Sequence, residues 1–326
     1  MIRAVIAWLC LAATASAADV RLLVPLYSYP SWYNPATYLW DDVAQAARQV
    51  PVTAIINPNN GPNGGPPNSD YVAGLAELRT NGVTILGYVY TSYGGRDTNL
   101  VKADIDLYDQ HYNIDGIFLD EVAAGTDKLT YYGQLYDYIK SRPHLRHVVT
   151  NPGTHMDEAY LSRPATDTSV IFENDTGWNT YVPSAYVSAY DSRRFAMLVY
   201  SVGTAGAMRS NIARAVHRNL AYVYVTNDGG ANPWDSLPAY WPEEIAYVRS
   251  LRELRITGVE LSGADAVVRF TSLSNHTFRV AATTNLTGGS WLTLTNALAG
   301  TGSIMEIVDP GGALPPRRFY RVELLP

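Results

Sequence analysis

Sulfur is almost missing from this chain: 326 residues carry a single cysteine, Cys10, so no intrachain disulfide and no paired-thiol site can form. Cys10 lies inside residues 1–17, where one early positive charge (Arg3) precedes an apolar run over 4–13 and a small-x-small ending, Ala15-Ser16-Ala17. That is the pattern of a cleaved secretory signal, so the mature chain is expected to be thiol-free. The apolar run is too short for a permanent anchor, and no other stretch is long enough to span a bilayer. A secreted protein, extracellular or periplasmic, is the expectation. Trp8 and Leu9 before Cys10 do not fit a lipoprotein signal.

Positive charge is scarce too. The 24 Lys and Arg face 30 Asp and Glu, and loss of Arg3 with the leader leaves 23, a net charge of −7. Phosphate binding needs a basic face, so nucleic acid is not an expected partner. The six histidines, at 111, 144, 147, 155, 217 and 276, are scattered; only His144 and His147 share a helical spacing, and they precede the fifth strand, away from the expected site. A metal-dependent polysaccharide deacetylase would need clustered ligands. No Gly-x-Ser-x-Gly elbow and no Asp-x-Asp-x-Asp-Gly loop is present, which disfavours an α/β-hydrolase and a calcium site. No metal and no cofactor is expected.

Tyrosine, by contrast, abounds: 24 Tyr and 7 Trp stand against 6 Phe. Amphipathic aromatics in that ratio suit a cleft that stacks on sugar rings and hydrogen-bonds hydroxyls.

From residue 21 to about 253, short apolar runs alternate with amphipathic stretches. The runs are 21–27, 52–57, 83–90, 114–120, 147–151, 169–173, 195–200 and 221–226; helices are predicted over 35–49, 69–81, 98–112, 128–141, 209–219 and 238–252. Eight strand–helix units in roughly 230 residues match one (β/α)8 TIM barrel, assigned to 18–254. An open doubly wound sheet is the rival, but the first turn reads Ser28-Tyr29-Pro30-Ser31-Trp32 instead of a glycine-rich phosphate loop. After 255 no helical period remains. Short alternating stretches at 256–261, 266–271, 277–282, 303–308 and 319–324 predict a small all-β sandwich over 255–326. Its ending, Arg317-Arg318-Phe319-Tyr320-Arg321-Val322, resembles the last strand of fibronectin-type-III-like modules. Glycan binding, attachment to a cell surface and service as a spacer all remain open for it.

In a TIM barrel, function belongs at the C-terminal strand ends. Those ends offer Tyr27 and Tyr29; Asn57 and Asn59; Tyr90, Ser92 and Tyr93; Asp120 and Glu121; Asn151; Glu173; Tyr200; and Asn227 with Asp228. The run Ile114-Asp115-Gly116-Ile117-Phe118-Leu119-Asp120-Glu121 is the most telling, because a buried strand rarely finishes in two charges unless they face a polar cleft. A helix cap by Asp120 with a solvated Glu121 would also explain the pair. The loop 58–68, dense in Asn, Gly and Pro, is expected to fold over one side of the cleft. Carboxylate chemistry is what this rim can perform: a protonated acid to assist departure and a second carboxyl to attack carbon or activate water.

Val24-Pro25-Leu26-Tyr27-Ser28-Tyr29-Pro30, Ile56-Asn57-Pro58-Asn59-Asn60-Gly61-Pro62, Gly87-Tyr88-Val89-Tyr90-Thr91-Ser92-Tyr93-Gly94, Asp104-Ile105-Asp106-Leu107-Tyr108, Asp115 to Glu121, Asn151-Pro152-Gly153 and Phe172-Glu173-Asn174 together resemble, in order, the motifs of the spherulin-4 family. Characterised fungal members are (β/α)8 glycoside hydrolases that cut α-1,4-linked N-acetylgalactosamine in a galactosaminogalactan exopolysaccharide. The resemblance implies that their essential Asp-Glu pair and distal Glu fall on Asp120, Glu121 and Glu173. It does not extend to the β-module. The chain is therefore expected to be a secreted endo-acting hydrolase of an α-linked, amino-sugar-containing polysaccharide. Asp120 is assigned as nucleophile, Glu173 as general acid/base and Glu121 as a substrate or pKa-tuning partner, with retention of configuration; the Asp120 and Glu173 roles could be exchanged. A non-catalytic glycan-binding surface protein is the rival from another class.

Overall fold

Runs of Val, Ile, Leu and Tyr with both faces apolar form parallel strands covered on each side. The computed structural model describes residues 10–13, 19–287 and 290–325; the expected signal segment lies outside the described residues except for 10–13. Eight parallel strands close into a barrel in sequence order: β1 Arg21–Leu26, β2 Val52–Ile56, β3 Thr84–Tyr90, β4 Gly116–Asp120, β5 His147–Thr150, β6 Thr168–Asn174, β7 Phe195–Val199 and β8 Tyr222–Val225. Around them run α1 Leu39–Ala47, α2 Ser69–Thr80, α3 Thr98–His111, α4 Leu129–Lys140, the single turn α5 Ala159–Ser162, α6 Ala205–His217 and α7 Trp241–Arg252. The expected TIM barrel with a C-terminal all-β module is the observed fold.

Two helices start at residues other than those expected. The helix expected from residue 35 begins at Leu39, because 31–37 are spent in turns such as Asn34 N donating to Ser31 O at 2.8 Å. The helix expected from 209 starts four residues earlier, at Ala205, where the Thr204 hydroxyl caps it by accepting from Ala207 N at 3.2 Å.

The seam between first and last strands is short in backbone pairing and is completed by a side chain. Odd-numbered amides of β1 face β8, with Arg21 N donating to Ala221 O at 2.8 Å. Pro25 stands in the same series without an N–H, and the β1–β8 ladder ends at Leu22 and Val223. Thr226 N donates to Val199 O on β7, so by alternation Val225 N faces the thin seam. There Glu244, on the first turn of α7 and wholly buried, accepts its proton at 3.0 Å. The second Glu244 oxygen has no hydrogen-bond partner among the described residues, and burial lifts this carboxyl to about 8.

The chain divides into two compact units, Val20–Val248 and a second built mainly from Arg249 onward. The second has two antiparallel sheets. One orders β9 Ile256–Ser262, β10 Asp265–Thr271 and β13 Ile304–Asp309; the other orders β14 Arg317–Leu325, β11 Thr277–Thr283 and β12 Leu292–Ala299, with the short strand Cys10–Ala13 parallel beside β14. Strand β12 went unrecognised in the sequence because it is mostly exposed and its Thr-Leu alternation buries no continuous face. Phe270 of one sheet and Phe278 of the other meet at 6.0 Å in the core. Asp309, nearly fully buried, takes both a two-pronged Arg318 guanidinium (2.8 and 3.0 Å) and the Tyr320 hydroxyl (3.0 Å).

Glu244 generates a stability prediction. Its folded pKa lies above the unfolded value of about 4.3, so its contribution is fully present below that value and is lost as pH rises through about 8. Glu244→Gln should flatten this decline, so that thermal melts of variant and parent diverge in the variant's favour from about pH 4.3 up to about pH 8 and run parallel above it. Parallel melting curves across that window would show that Glu244 is not buried as an acid.

Candidate active site

Strand β4 enters the barrel where no side chain fits: a Cβ on Gly116 would lie 1.9 Å from His147 O. Alternation then turns Phe118 and Asp120 to the same face. On that face Tyr88 of β3 stacks on Phe118 (ring centres 6.3 Å) and meets Tyr27 edge-on at 5.7 Å. The Tyr88 hydroxyl also hydrogen-bonds Asp120. Asp120 is thus the polar top of an otherwise aromatic layer.

The centre of the site is one amide. Asn151, directly after β5, donates from Nδ2 to Asp120 Oδ1 at 2.8 Å and also to Glu173 Oε2 on β6. Its Oδ1 accepts from Gly153 N at 3.0 Å, which fixes the orientation of the amide so that –NH2 faces the carboxyls. Gly153 has the left-handed φ of +63° that this tight return needs, and its carbonyl accepts from Glu173 N at 3.1 Å. Both carboxyls are largely withdrawn from water. Burial first, and then the Asp120 charge, push Glu173 up to about 7, against a lowering pull from Asn151. Burial also raises Asp120, while hydrogen bonds from Tyr88, the backbone and Asn151 pull it down. Two acids sharing one donor in a dry site favour a single negative charge between them.

Glu121 is set apart from its neighbour by its backbone, with φ +51°. Its carbonyl accepts from Tyr93 N at 2.6 Å and from the buried Thr91 hydroxyl at 2.8 Å, and Thr91 also holds Asp120 O. Ser92 and Tyr93 pay for this with φ of +47° and +53°. Three left-handed non-glycine residues in contact mark stored strain of about 1 kcal/mol or more each.

The remaining expected site residues separate into two groups. Tyr27 lies beside the carboxyls, and the electrostatic influence of Glu173 reaches Tyr200, whose ring meets Trp234 at 5.6 Å. Tyr90 pairs in register with Asp120, its ring covered by the Arg96 guanidinium at 4.1 Å. The others are held elsewhere. Asn57 Oδ1 accepts from Gly61 N at 2.9 Å and shapes the loop in which Asn59 N donates to Gly61 O; Asn59, Ser92 and Tyr93 are exposed. Asn227 Oδ1 accepts from Ala239 N at 2.6 Å, and Asp228 takes Ser236 Oγ at 2.5 Å and Gly229 N at 2.8 Å, so both staple their own loop. Tyr29 donates to Asp70 at 2.7 Å. Tyr88 was absent from the expected residues, although strand parity with Tyr90 and Phe118 could have found it. Among the described residues no three His, Cys, Asp or Glu side chains form a group that could hold a metal ion, and no helix is long and apolar enough to cross a membrane.

A family model described as Spherulation-specific family 4 matches residues 21–248. Spherulin-4 of Physarum polycephalum is 37% identical over 263 residues, 76% of each chain. Among solved structures, Aspergillus clavatus Sph3 in complex with GalNAc superposes with a TM-score of 0.61 and 26% identity, covering 72% of this chain and 100% of that one.

The shared donor makes a direct titration test. In the intact protein the Glu173 carboxyl carbon should titrate near 7 by NMR. Asp120→Asn removes the like charge and leaves the burial, so the midpoint should fall while staying above the ordinary 4.5. A midpoint indifferent to Asp120 would mean that the two acids do not share a site.

Proposed function

The chain belongs to the spherulin-4 family, and from that premise we propose that it is a secreted, endo-acting glycoside hydrolase of an α-linked, amino-sugar-containing polysaccharide. The observation that carries this reading is the Asn151 amide bound to both Asp120 and Glu173. Oxygens bonded to the two hydrogens of one –NH2 group lie about 5 Å apart or less. A nucleophilic mechanism requires about 5 to 5.5 Å between carboxyls, whereas an intervening water requires about 6.5 to 9.5 Å. The amino-sugar class is supported by the GalNAc bound to the Aspergillus relative, and secretion by the leader pattern in residues 1–17.

In this reading Glu173, protonated up to about 7, gives its proton to the departing glycosidic oxygen as the bond to the anomeric carbon breaks. Asp120, the better hydrogen-bonded and therefore the ionised partner, attacks that carbon and forms a glycosyl ester. Glu173, now a carboxylate, takes a proton from water, which opens the ester and restores both groups. Tyr88 steadies the Asp120 charge. Asn151 holds the two carboxyls at working distance and can follow the single negative charge from one to the other without moving. Glu121, whose charge raises the pKa of both Asp120 and Tyr88, is left to bind the sugar or to tune its neighbours.

Asp120→Asn and Glu173→Gln should each remain folded and lose turnover by roughly 10³-fold or more on galactosaminogalactan, read as new reducing ends. Glu121→Gln should lose less. The first product seen by NMR should keep the α configuration, and the rate should fall as pH rises through about 7, where Glu173 loses its proton. Release of acetate without reducing ends would replace hydrolysis with deacetylation. Binding without any product would leave a glycan-binding protein.

A further inference from the structure

The loop after β1 presents aromatic rings to solvent while tying up the indole N–H of one of them. Trp32 is 53% exposed and Tyr33 62%, with their rings edge to face at 5.9 Å. Yet the Trp32 indole N–H donates to Asp70 Oδ1 at 2.9 Å, and the Tyr29 hydroxyl donates to Asp70 Oδ2 at 2.7 Å. One carboxylate therefore consumes both donors, and the part of Trp32 left outside is mainly its π face.

Several contacts make the loop rigid. Asp70 sits on the first turn of α2, whose cap, Asn68, also donates to the Tyr29 hydroxyl at 2.9 Å. The Tyr29 ring meets Tyr71 edge-on at 5.6 Å. Pro30 is buried against α2 at Gly74, where a Cβ would lie 3.0 Å from Pro30 and 2.6 Å from Trp40. Ser31 N and Trp32 N close turns onto Tyr29 O and Pro30 O at 2.8 and 2.9 Å. An exposed indole held this firmly loses little entropy on contact with a ligand.

The geometry points to a remote sugar-stacking subsite at Trp32, with Tyr33 beside it, that takes the apolar ring face of a polysaccharide unit away from the bond being cut. This inference rests on the hydrolase reading above and deepens it. Trp32 is five steps along the chain from Tyr27, which lies against the carboxyls, so at most about 18 Å of backbone divides platform from centre. A polymer crossing the rim can engage both. A ring whose N–H is already satisfied gives no hydrogen-bond specificity, only a face, and the C–H face of a pyranose is its complement. Binding at such a distance helps only chains long enough to reach it.

Trp32→Ala should therefore lower kcat/KM in proportion to chain length on α-1,4-linked N-acetylgalactosamine oligosaccharides of graded size: about tenfold on the longest, mainly through KM, and several times less on the shortest. Trp32→Phe, which keeps a ring, should restore most of the loss. Asp70→Ala keeps the indole and frees it, and should reproduce the length-dependent defect in weaker form. Calorimetric binding of the same oligosaccharides to Glu173→Gln, with and without Trp32→Ala, reads the subsite without catalysis. A loss equal at all lengths, or an unchanged affinity for long chains, overturns the subsite. If the parent protein cuts nothing but long chains still bind through Trp32, the hydrolase reading fails and the subsite stands.

Discussion

Two carboxyls on one amide nitrogen are the constraint around which the barrel's upper face is arranged. Left to water, Asp120 and Glu173 would both ionise and repel; in the barrel mouth, burial makes the doubly charged state costly. Asn151 can serve both only because Gly153 turns the chain back and occupies its oxygen. The order of elements follows from this need: β4 and β6 each bring an acid, and β5 between them brings the neutral donor.

Much of this was legible from residue types. Apolar runs of strand length at regular intervals identify a barrel, and a strand that ends in Asp120 and Glu121 marks the rim where the buried carboxyls gather. Asn151 was legible as a rim residue and illegible as a bridge, since no local pattern shows that its two hydrogens reach different strands. The same limit explains Asn227 and Asp228: a strand-end Asn or Asp that staples its own loop looks, in sequence, like one that faces a ligand. Tyr88 was hidden for a different reason. Parity gave Tyr88 and Tyr90 the same side, but depth decides the contact, and the deeper ring reaches Asp120 while the shallower one lies under Arg96. Helix starts depend on single hydrogen bonds, as at Thr204, which composition does not weigh.

The strained corner at Ser92, Tyr93 and Glu121 gives the two adjacent acids different backbones. An ordinary strand exit would carry Glu121 to the outer face by alternation. Left-handed backbone, pinned by the Thr91 hydroxyl and by Tyr93 N, changes that exit. Asp120 is thereby fixed to the barrel layer, while the Glu121 backbone is governed by the loop after β3.

The seam at Pro25 bears on the order in which the barrel can assemble. Every other pair of neighbouring strands is joined by a connection of ordinary length, but β1 must find β8 across nearly the whole barrel, the costliest loop to close. Its ladder is thin, and the amide it leaves over is satisfied by Glu244, which lies beyond β8 in the chain. The first and last strands can pair as soon as β8 has formed, but the Val225 amide that their short ladder leaves over is met only when α7 brings Glu244. The final polar group of the seam is thus supplied from the far end of the barrel.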